Sequence, residues 1–304
     1  IQNAKVYARV KPDQKAYVIK RAKEIGEVVC MCGDGANDFP AIKVADIGIS
    51  FSDKEASLAS SFSSLKPSIA IVEDLIKEGK CSMENCIEIF KTIVISDYLF
   101  FFVMFLLSFG GTFYSDSFLT WLIFGVGALL NPTGLSRPFP KLNSLKPDSN
   151  LFSLRNMMSI IGTIIIYMIP LIIMYNLILK SYDVPYCIDT VFEGYDVTAL
   201  VLMLALIITL LPFTIYYGST IKLKPYQNLV LFVTFIILFI VNTVMIFSND
   251  SRYSFMRYYN LDREEAGDLY ALAICFFILA MVFNRIVIVK IFDRKKENQS
   301  KYES

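Results

Sequence analysis

The chain has 304 residues, 55% of them hydrophobic, with 29 basic against 28 acidic side chains and a formal net charge of +1. Soluble domains carry about 45–50% apolar residues, so the excess must lie in segments of its own, and the near-zero charge offers no basic surface for nucleic acid. The chain contains no histidine, which excludes imidazole catalysis and imidazole metal ligation together.

Residues 1–88 have mixed charge and short apolar runs, unlike everything that follows. Ala4–Val10 is apolar enough for a strand. Pro12 stands where a first helical residue would and Gly26 closes the pattern, so the spacing predicts a helix over 12–25. Val28–Cys32 reads as a second strand, ending at Gly33-Asp34-Gly35-Ala36-Asn37-Asp38. A helical segment from Phe39 to Val44 and a strand at Ile47–Ser50 follow. Strands alternating with helices imply a parallel sheet, and such sheets bind ligands at the carboxyl ends of their strands. Gly33–Asp38 sits at that place. Six cysteines are scattered at 30, 32, 81, 86, 187 and 275. Cys30 and Cys32 share a strand face, but no second pair completes a four-ligand zinc site, so all six are expected to be buried, reduced thiols.

The chemistry of the turn follows from its residues. Gly33 and Gly35 let the backbone turn tightly and are the candidate cofactor-binding positions. Asp34 and Asp38, four apart around the turn, can present carboxylate oxygens to one centre. Magnesium favours a few such oxygens completed by water and phosphate. Lys15 supplies a point positive charge suited to a phosphoryl group. Together these residues fit phosphoryl transfer, where placement and charge neutralisation supply most of the catalysis. Ile71, Val72, Leu75 and Ile76 follow helical spacing, and a charged stalk from Lys77 to Glu88 leads on toward the apolar region. A helix running on from it into a membrane would carry movement as a rigid body.

From Ile89 the chain is dominated by Phe, Ile, Leu, Val and Met. A bilayer core needs about 20 mostly apolar residues per helix, which Ile89–Phe109, Met157–Ile178, Ala199–Tyr217, Leu229–Phe247 and Leu269–Val289 supply. Phe118–Leu130, ending at Asn131-Pro132, is shorter; counting it gives six spans, and omitting it puts the two ends of the region on opposite sides. The segment 131–156 carries Arg137, Lys141, Lys146 and Arg155 against Asp148. The turn after Tyr217 carries Lys222 and Lys224, and the tail carries Lys290, Arg294, Lys295 and Lys296. The alternate loops hold Asp183, Asp189, Glu193 and Asp196. The positive-inside rule therefore places 1–88, 131–156, 218–228 and the tail in the cytosol, and Asn249-Asp250-Ser251, a glycosylation pattern, on the far side. Asp97, beside Ser96 and Tyr98, lies inside the first span. It reads either as part of a transport path or as a group near a wet vestibule or paired with another helix.

Val10-Lys11-Pro12-Asp13-Gln14-Lys15 and Met31-Cys32-Gly33-Asp34-Gly35-Ala36-Asn37-Asp38 resemble the phosphorylation-domain motifs of P-type ATPases. Ala45-Asp46-Ile47-Gly48-Ile49-Ser50, with Glu55-Ala56-Ser57 and Ala59-Ser60, is similar to the type V subgroup and its B branch of eukaryotic polyamine pumps. The resemblance runs from about Ala4 to Lys91. It implies the carboxyl-terminal part of a haloacid-dehalogenase-like (Rossmannoid) α/β domain over 1–68, a stalk helix over 69–88, an all-α transmembrane domain of six helices over 89–289 and a cytosolic tail over 290–304. It further implies that Lys15 contacts the phosphoryl group, that Asp34 coordinates magnesium, and that Asn37 and Asp38 order the same site. ATP would be the energy source, through an aspartyl phosphate formed in an Asp-Lys-Thr-Gly-Thr motif that this chain does not contain. The implied partners are membrane lipid, a cationic small-molecule substrate and amino-terminal nucleotide-binding and actuator domains; nucleic acid is not among them. The chain begins without methionine, as a fragment would, and is expected to be inactive by itself.

For the substrate path the resemblance aligns Asp116 with the first acid of that branch's sixth core helix, and Ser96 and Phe100 with a polar pair on the preceding helix. Asp97 and Asp116, with Tyr98, Phe100 and Trp121, offer carboxylates and aromatic faces to a polycation; alternatively these aromatics face lipid or the interface. Ile123 stands where that branch carries a second acid. An inorganic cation pump, a membrane-anchored phosphatase of the same superfamily, and a catalytically inactive membrane protein are the alternatives. An internal, endolysosomal membrane is the location the resemblance implies.

Overall fold

The computed structural model describes residues 6–51, 58–66, 68–109, 116–142, 147, 150–181, 194–216, 221–247 and 263–286. The acids Asp183, Asp189 and Glu193, the Asn249-Asp250-Ser251 pattern, Cys187, Glu55-Ala56-Ser57, Lys146, Asp148 and the tail 290–304 lie outside the described residues. The chain divides into two compact units, residues 1–76 and 77–304.

In the first unit, helix α1 (Pro12–Glu24) starts where the sequence places it, with the Lys11 amide donating to Gln14 Oε1 at 3.0 Å. Gly26 ends it at φ +90°, a conformation that strains any residue with a Cβ. Strand β1 (Cys30–Gly33), helix α2 (Phe39–Val44), and strands β2 (Ile47–Ser50) and β3 (Phe62–Ser63) follow. The sheet order is β1-β2-β3, parallel throughout. Its register pairs Cys30 with Ile47, Gly33 with Ser50, and Ile49 with Phe62. Helices α1 and α2 pack together over a small core of Ala16, Ile19, Ala41, Ile42 and Ile49.

Three expectations change here. Val28–Cys32 becomes Cys30–Gly33, because the Val29 amide donates to the Asp46 carboxylate at 3.0 Å and its carbonyl accepts from the Asp46 and Ile47 amides. Those bonds fasten the chain ahead of the ladder rather than within it. The strand expected at Ala4–Val10 is not formed: Ala4 and Lys5 lie outside the described residues, and Val6–Val10 is irregular. Arg9 has φ +53°, which interrupts extended backbone, and no described strand offers this segment a ladder. The thiols are also not uniformly buried. Cys81 is, but Cys30, Cys86 and Cys275 are exposed and Cys32 is half-buried, because strand end and outward helix faces leave them uncovered.

The second unit is helical. Helix α3 (Ala70–Phe109) is a single helix of 40 residues, about 60 Å long at 1.5 Å per residue, covering both the stalk and the first predicted span. After it come α4 (Asp116–Gly134), α5 (Leu154–Ser181), α6 (Gly194–Tyr216), α7 (Leu229–Phe247) and α8 (Arg263–Phe283). Among the described residues, five helices are long and apolar enough to cross a membrane; in α4 the apolar part is the shorter Phe118–Gly134. Helix α4 runs past Asn131-Pro132, where the sequence predicts its end. Proline lacks the amide that would bond one turn back, but the Thr133 hydroxyl donates to the Leu129 carbonyl at 2.9 Å and Asn228 Nδ2 to the Pro132 carbonyl at 2.8 Å. Those contacts hold the last turn.

Helix α6 is apolar over most of Ala199–Tyr216 and buried along Ala199–Leu211, as a central helix must be. It packs against α4, α5, α7 and α8. In hydrocarbon the hydrophobic effect does not drive helices together, so small residues and interhelical hydrogen bonds matter more. Tyr167 and Thr214 bond across α5–α6 at 2.6 Å, and Asn242 Nδ2 donates to Thr209 Oγ1 across α7–α6 at 2.7 Å. On the α5–α8 seam, Ser159 donates to Asn284 Oδ1 at 2.8 Å, and Asn284 Nδ2 to Thr163 at 3.0 Å. Outward faces carry Phe101, Phe105, Phe124, Ile165, Ile237 and Ile278, an apolar surface suited to lipid rather than water.

Candidate functional site

The turn after β1 is built from its backbone outward. Gly33 ends the strand, buried, and its carbonyl accepts from the Phe51 amide at 2.9 Å. Gly35 precedes a single 3-10 turn, Ala36–Asp38, and its carbonyl accepts from the Asp38 amide at 3.0 Å. That turn swings Asp38 back over Gly33: a methyl on Gly33 would lie 2.5 Å from Asp38 Cβ. Glycine is required here by proximity, not by an unusual φ.

Lys15, in the second turn of α1, reaches across to the same place. Its ammonium donates to Asp38 Oδ1 at 2.6 Å, with the Asp38 side chain largely buried and that of Lys15 about one-third exposed. Charge-assisted bonds of this length are the stronger kind. Two residues separated by 23 positions, picked from sequence for one task, therefore meet. Asp34 and Asn37 lie on the exposed side of the same turn. The structure thus brings together Lys15, Asp38 and Gly33, with Asp34, Gly35 and Asn37 on the adjoining backbone.

Among the described residues no group of three or more acidic, cysteine or histidine side chains could hold a metal ion. Magnesium does not need one, since it is commonly held by one or two carboxylates plus phosphate oxygens and water. Asp34, exposed at the strand end, and Asp38, already facing an ammonium, fit that donor chemistry. Cys30 and Cys32 do not compete for it. Soft sulfur ligands are poorly matched to a hard cation; burial, then the neighbouring Cys30, pushes the Cys32 thiol up to about 11, so at neutral pH it stays protonated.

Asp46 acts locally. The Val29 amide, and then Lys23 at 2.9 Å, hold its carboxyl below the ordinary value. It fixes the start of β1 and hence the height of the turn.

The membrane candidates separate. Ser96 is buried in α3 and its hydroxyl has no hydrogen-bond partner among the described residues, whereas Asp97 and Tyr98 lie on the exposed face of that helix. Asp116 opens α4, and its side chain lies outside the described residues. Trp121 is tied by Nε1 to Asn242 Oδ1 at 3.2 Å, Phe100 is half-buried, and Ile123 faces outward. Sequence reading missed one group altogether. Lys222, counted as a cytosolic loop charge, has a fully buried side chain paired with Glu88. Arg155, counted likewise, is buried too. The signal in the sequence is the pair of acids Glu84 and Glu88, one turn apart at the mouth of the first span.

No protein-family model matches the chain. Over 163 residues, 53% of the chain, it is 36% identical to probable cation-transporting ATPase 9 of Tetrahymena thermophila, and over 161 residues, 52% of the chain, 40% identical to cation-transporting ATPase catp-5 of Caenorhabditis elegans. Over 88 residues, 29% of the chain, it is 46% identical to the polyamine-transporting ATPase 13A2 of Mus musculus. Its homologues are cation-transporting ATPases of the 13A group. They agree with the resemblance read from the Lys15 and Gly33–Asp38 motifs. The matches cover 14%, 13% and 8% of those ATPases' lengths, so the chain spans a small part of the cation-transporting ATPases it matches.

Proposed function

We propose that this chain is the carboxyl-terminal part of a P-type ATPase, contributing part of its haloacid-dehalogenase-like phosphorylation site and the last six helices of its membrane domain. The observation that carries this reading is the meeting of Lys15 and Asp38 at the carboxyl end of β1. An ammonium and two nearby carboxylates on one strand-end turn suit a phosphoryl group and its magnesium ion. When bound, magnesium would neutralise charge on the transferring group. Lys15 would place its ammonium against a phosphoryl oxygen, Asp34 and Asp38 would supply metal-binding oxygens, and Asn37 would order the exposed side of the turn. Gly33 keeps Asp38 close enough for this. ATP and the phosphorylated aspartate would come from parts of a longer protein outside these residues.

The cargo is proposed to be a cationic small molecule, a polyamine, carried across an internal membrane with both chain ends cytosolic. Support comes from the similarity to a polyamine-transporting ATPase and from the face of α3 bearing Asp97 and Tyr98. An aspartate facing hydrocarbon is too costly to persist, so that face meets protein or water in the whole pump and offers a carboxylate beside an aromatic ring. An inorganic cation is the second reading, favoured by Ile123 in place of a second acid on α4. The deciding experiment is ATP hydrolysis by the full-length protein against a panel of polyamines and metal cations. Stimulation by polyamines alone supports the first reading, and stimulation by a metal cation alone replaces it with the second.

A further inference from the structure

We propose that Glu88, Asn85 and the Tyr216 ring form a primary-ammonium site whose permanent occupant is Lys222, and that this site ties α3 to the connection between α6 and α7. The inference rests on side chains of residues 77–304 and does not depend on which cation is carried.

A lysine ammonium has three N–H donors and no acceptor. Each of the three finds a partner here of a different kind. Glu88 Oε2 accepts from Lys222 in a close ion pair. Asn85 Oδ1 accepts from it at 2.8 Å. The Tyr216 ring centroid lies 3.9 Å from Nζ, within cation–π range. All four residues are buried, and the Lys222 side chain has no exposed surface. A carboxylate, an amide oxygen and an aromatic face are the ordinary parts of a receptor for an alkylammonium ion. The occupant here is supplied by the chain itself.

The surroundings hold both sides of the site in place. Asn85 is oriented by its own Nδ2, which donates to the Gly134 carbonyl at 3.3 Å, and Cys81 Sγ contacts the Ser136 carbonyl at 3.2 Å. The backbone around Lys222 is clamped as well: the Leu223 amide donates to the Arg137 carbonyl at 2.9 Å, and the Phe139 amide to the Ile221 carbonyl at 3.3 Å. Lys222 thus enters from a short antiparallel bridge with Pro138, while Glu88 and Asn85 stand one turn apart on α3. Among the described residues Glu88 Oε1 is buried with no hydrogen-bond partner, so the carboxylate keeps one oxygen able to accept a further donor. Movement of α3 must carry the α6–α7 connection with it or empty the site.

The test uses the full-length protein in detergent or lipid. Lys222→Ala removes three methylenes and the ammonium, the equivalent of n-propylammonium. Losing one partner of a buried pair should lower the unfolding midpoint by roughly 5–10 °C. Millimolar n-propylammonium should restore part of that loss, n-propanol and tetramethylammonium should not, and Lys222→Ala combined with Glu88→Gln should show no amine response. Equal responses to all three additives, or an amine response that survives Glu88→Gln, would overturn the site. If Lys222→Ala does not accumulate, Lys222→Met, Glu88→Gln and their combination decide the matter. The double variant should unfold nearer to wild type than either single variant, and strictly additive losses would refute the pairing.

Discussion

Gly33→Ala is the sharpest perturbation of the strand-end turn. The added methyl would lie 2.5 Å from Asp38 Cβ, 2.7 Å from Oδ2 and 2.8 Å from Cγ. Carbon atoms rest at about 3.5–4.0 Å, so Asp38 must withdraw by about 1 Å. A rotamer change cannot provide this, because Cβ moves only with the backbone of the 3-10 turn. That shift pulls the carboxylate away from Lys15, now 2.6 Å distant. Overpacking of this kind costs about 1–3 kcal/mol, less than a typical domain stability of about 5–15 kcal/mol, so the protein should still fold. Misplacing a reacting group by about 1 Å costs about 100-fold in rate, and that is the expected loss of magnesium-dependent ATP turnover in the full-length protein. Gly35→Ala is the control: its added methyl meets nothing closer than the Asn37 amide nitrogen at 4.0 Å, and its φ of −125° suits any residue. Turnover should be normalised to folded protein in the membrane. If Gly33→Ala is as active as Gly35→Ala, Asp38 has no part in the chemistry and the proposed site is wrong.

Other positions give independent checks. Cys32, held up to about 11 by burial and by Cys30, should be only about one part in a thousand thiolate at pH 8; alkylation should leave it largely unmodified in the folded protein and reach it fully after denaturation. Asp46 has a lowered folded-state value, so its contribution is complete above the unfolded carboxylate value near 3.9 and is lost as the pH falls through and below it. Asp46→Asn should therefore remove that acid-dependent loosening around Val29, followed by hydrogen exchange, and an unchanged pH profile would contradict it. On the α5–α8 seam a methyl at Gly162 would lie 2.2 Å from the Phe283 ring. Gly162→Ala should cost about 1–3 kcal/mol, and the smaller side chain of Phe283→Leu should recover much of it in a thermal unfolding assay.

Much of this structure is legible in the sequence, for identifiable reasons. Pro12 and Gly26 punctuate α1, and the apolar runs announce the membrane helices, because both signals are local. Lys15 and Asp38 suit a phosphoryl group and magnesium by residue type alone, and the fold places them in contact. The failures are non-local. Strand β1 starts late because Asp46, distant in sequence, takes the Val29 amide. Strand β3 is two residues long and exists only as a partner to β2. Helix α4 outruns its proline because Asn228 accommodates it from another segment. Lys222 is the clearest case: by composition it is a loop charge, and only the approach of Glu88, Asn85 and Tyr216 makes it an interior one.

On the proposed reading, the turn Gly33–Asp38 holds a magnesium ion against a transferring phosphoryl group. The most direct test of this claim is magnesium-dependent phosphoenzyme turnover from labelled ATP in the full-length protein carrying Asp34→Asn. Turnover should be abolished while the membrane helices remain folded; turnover at the wild-type rate would contradict the claim.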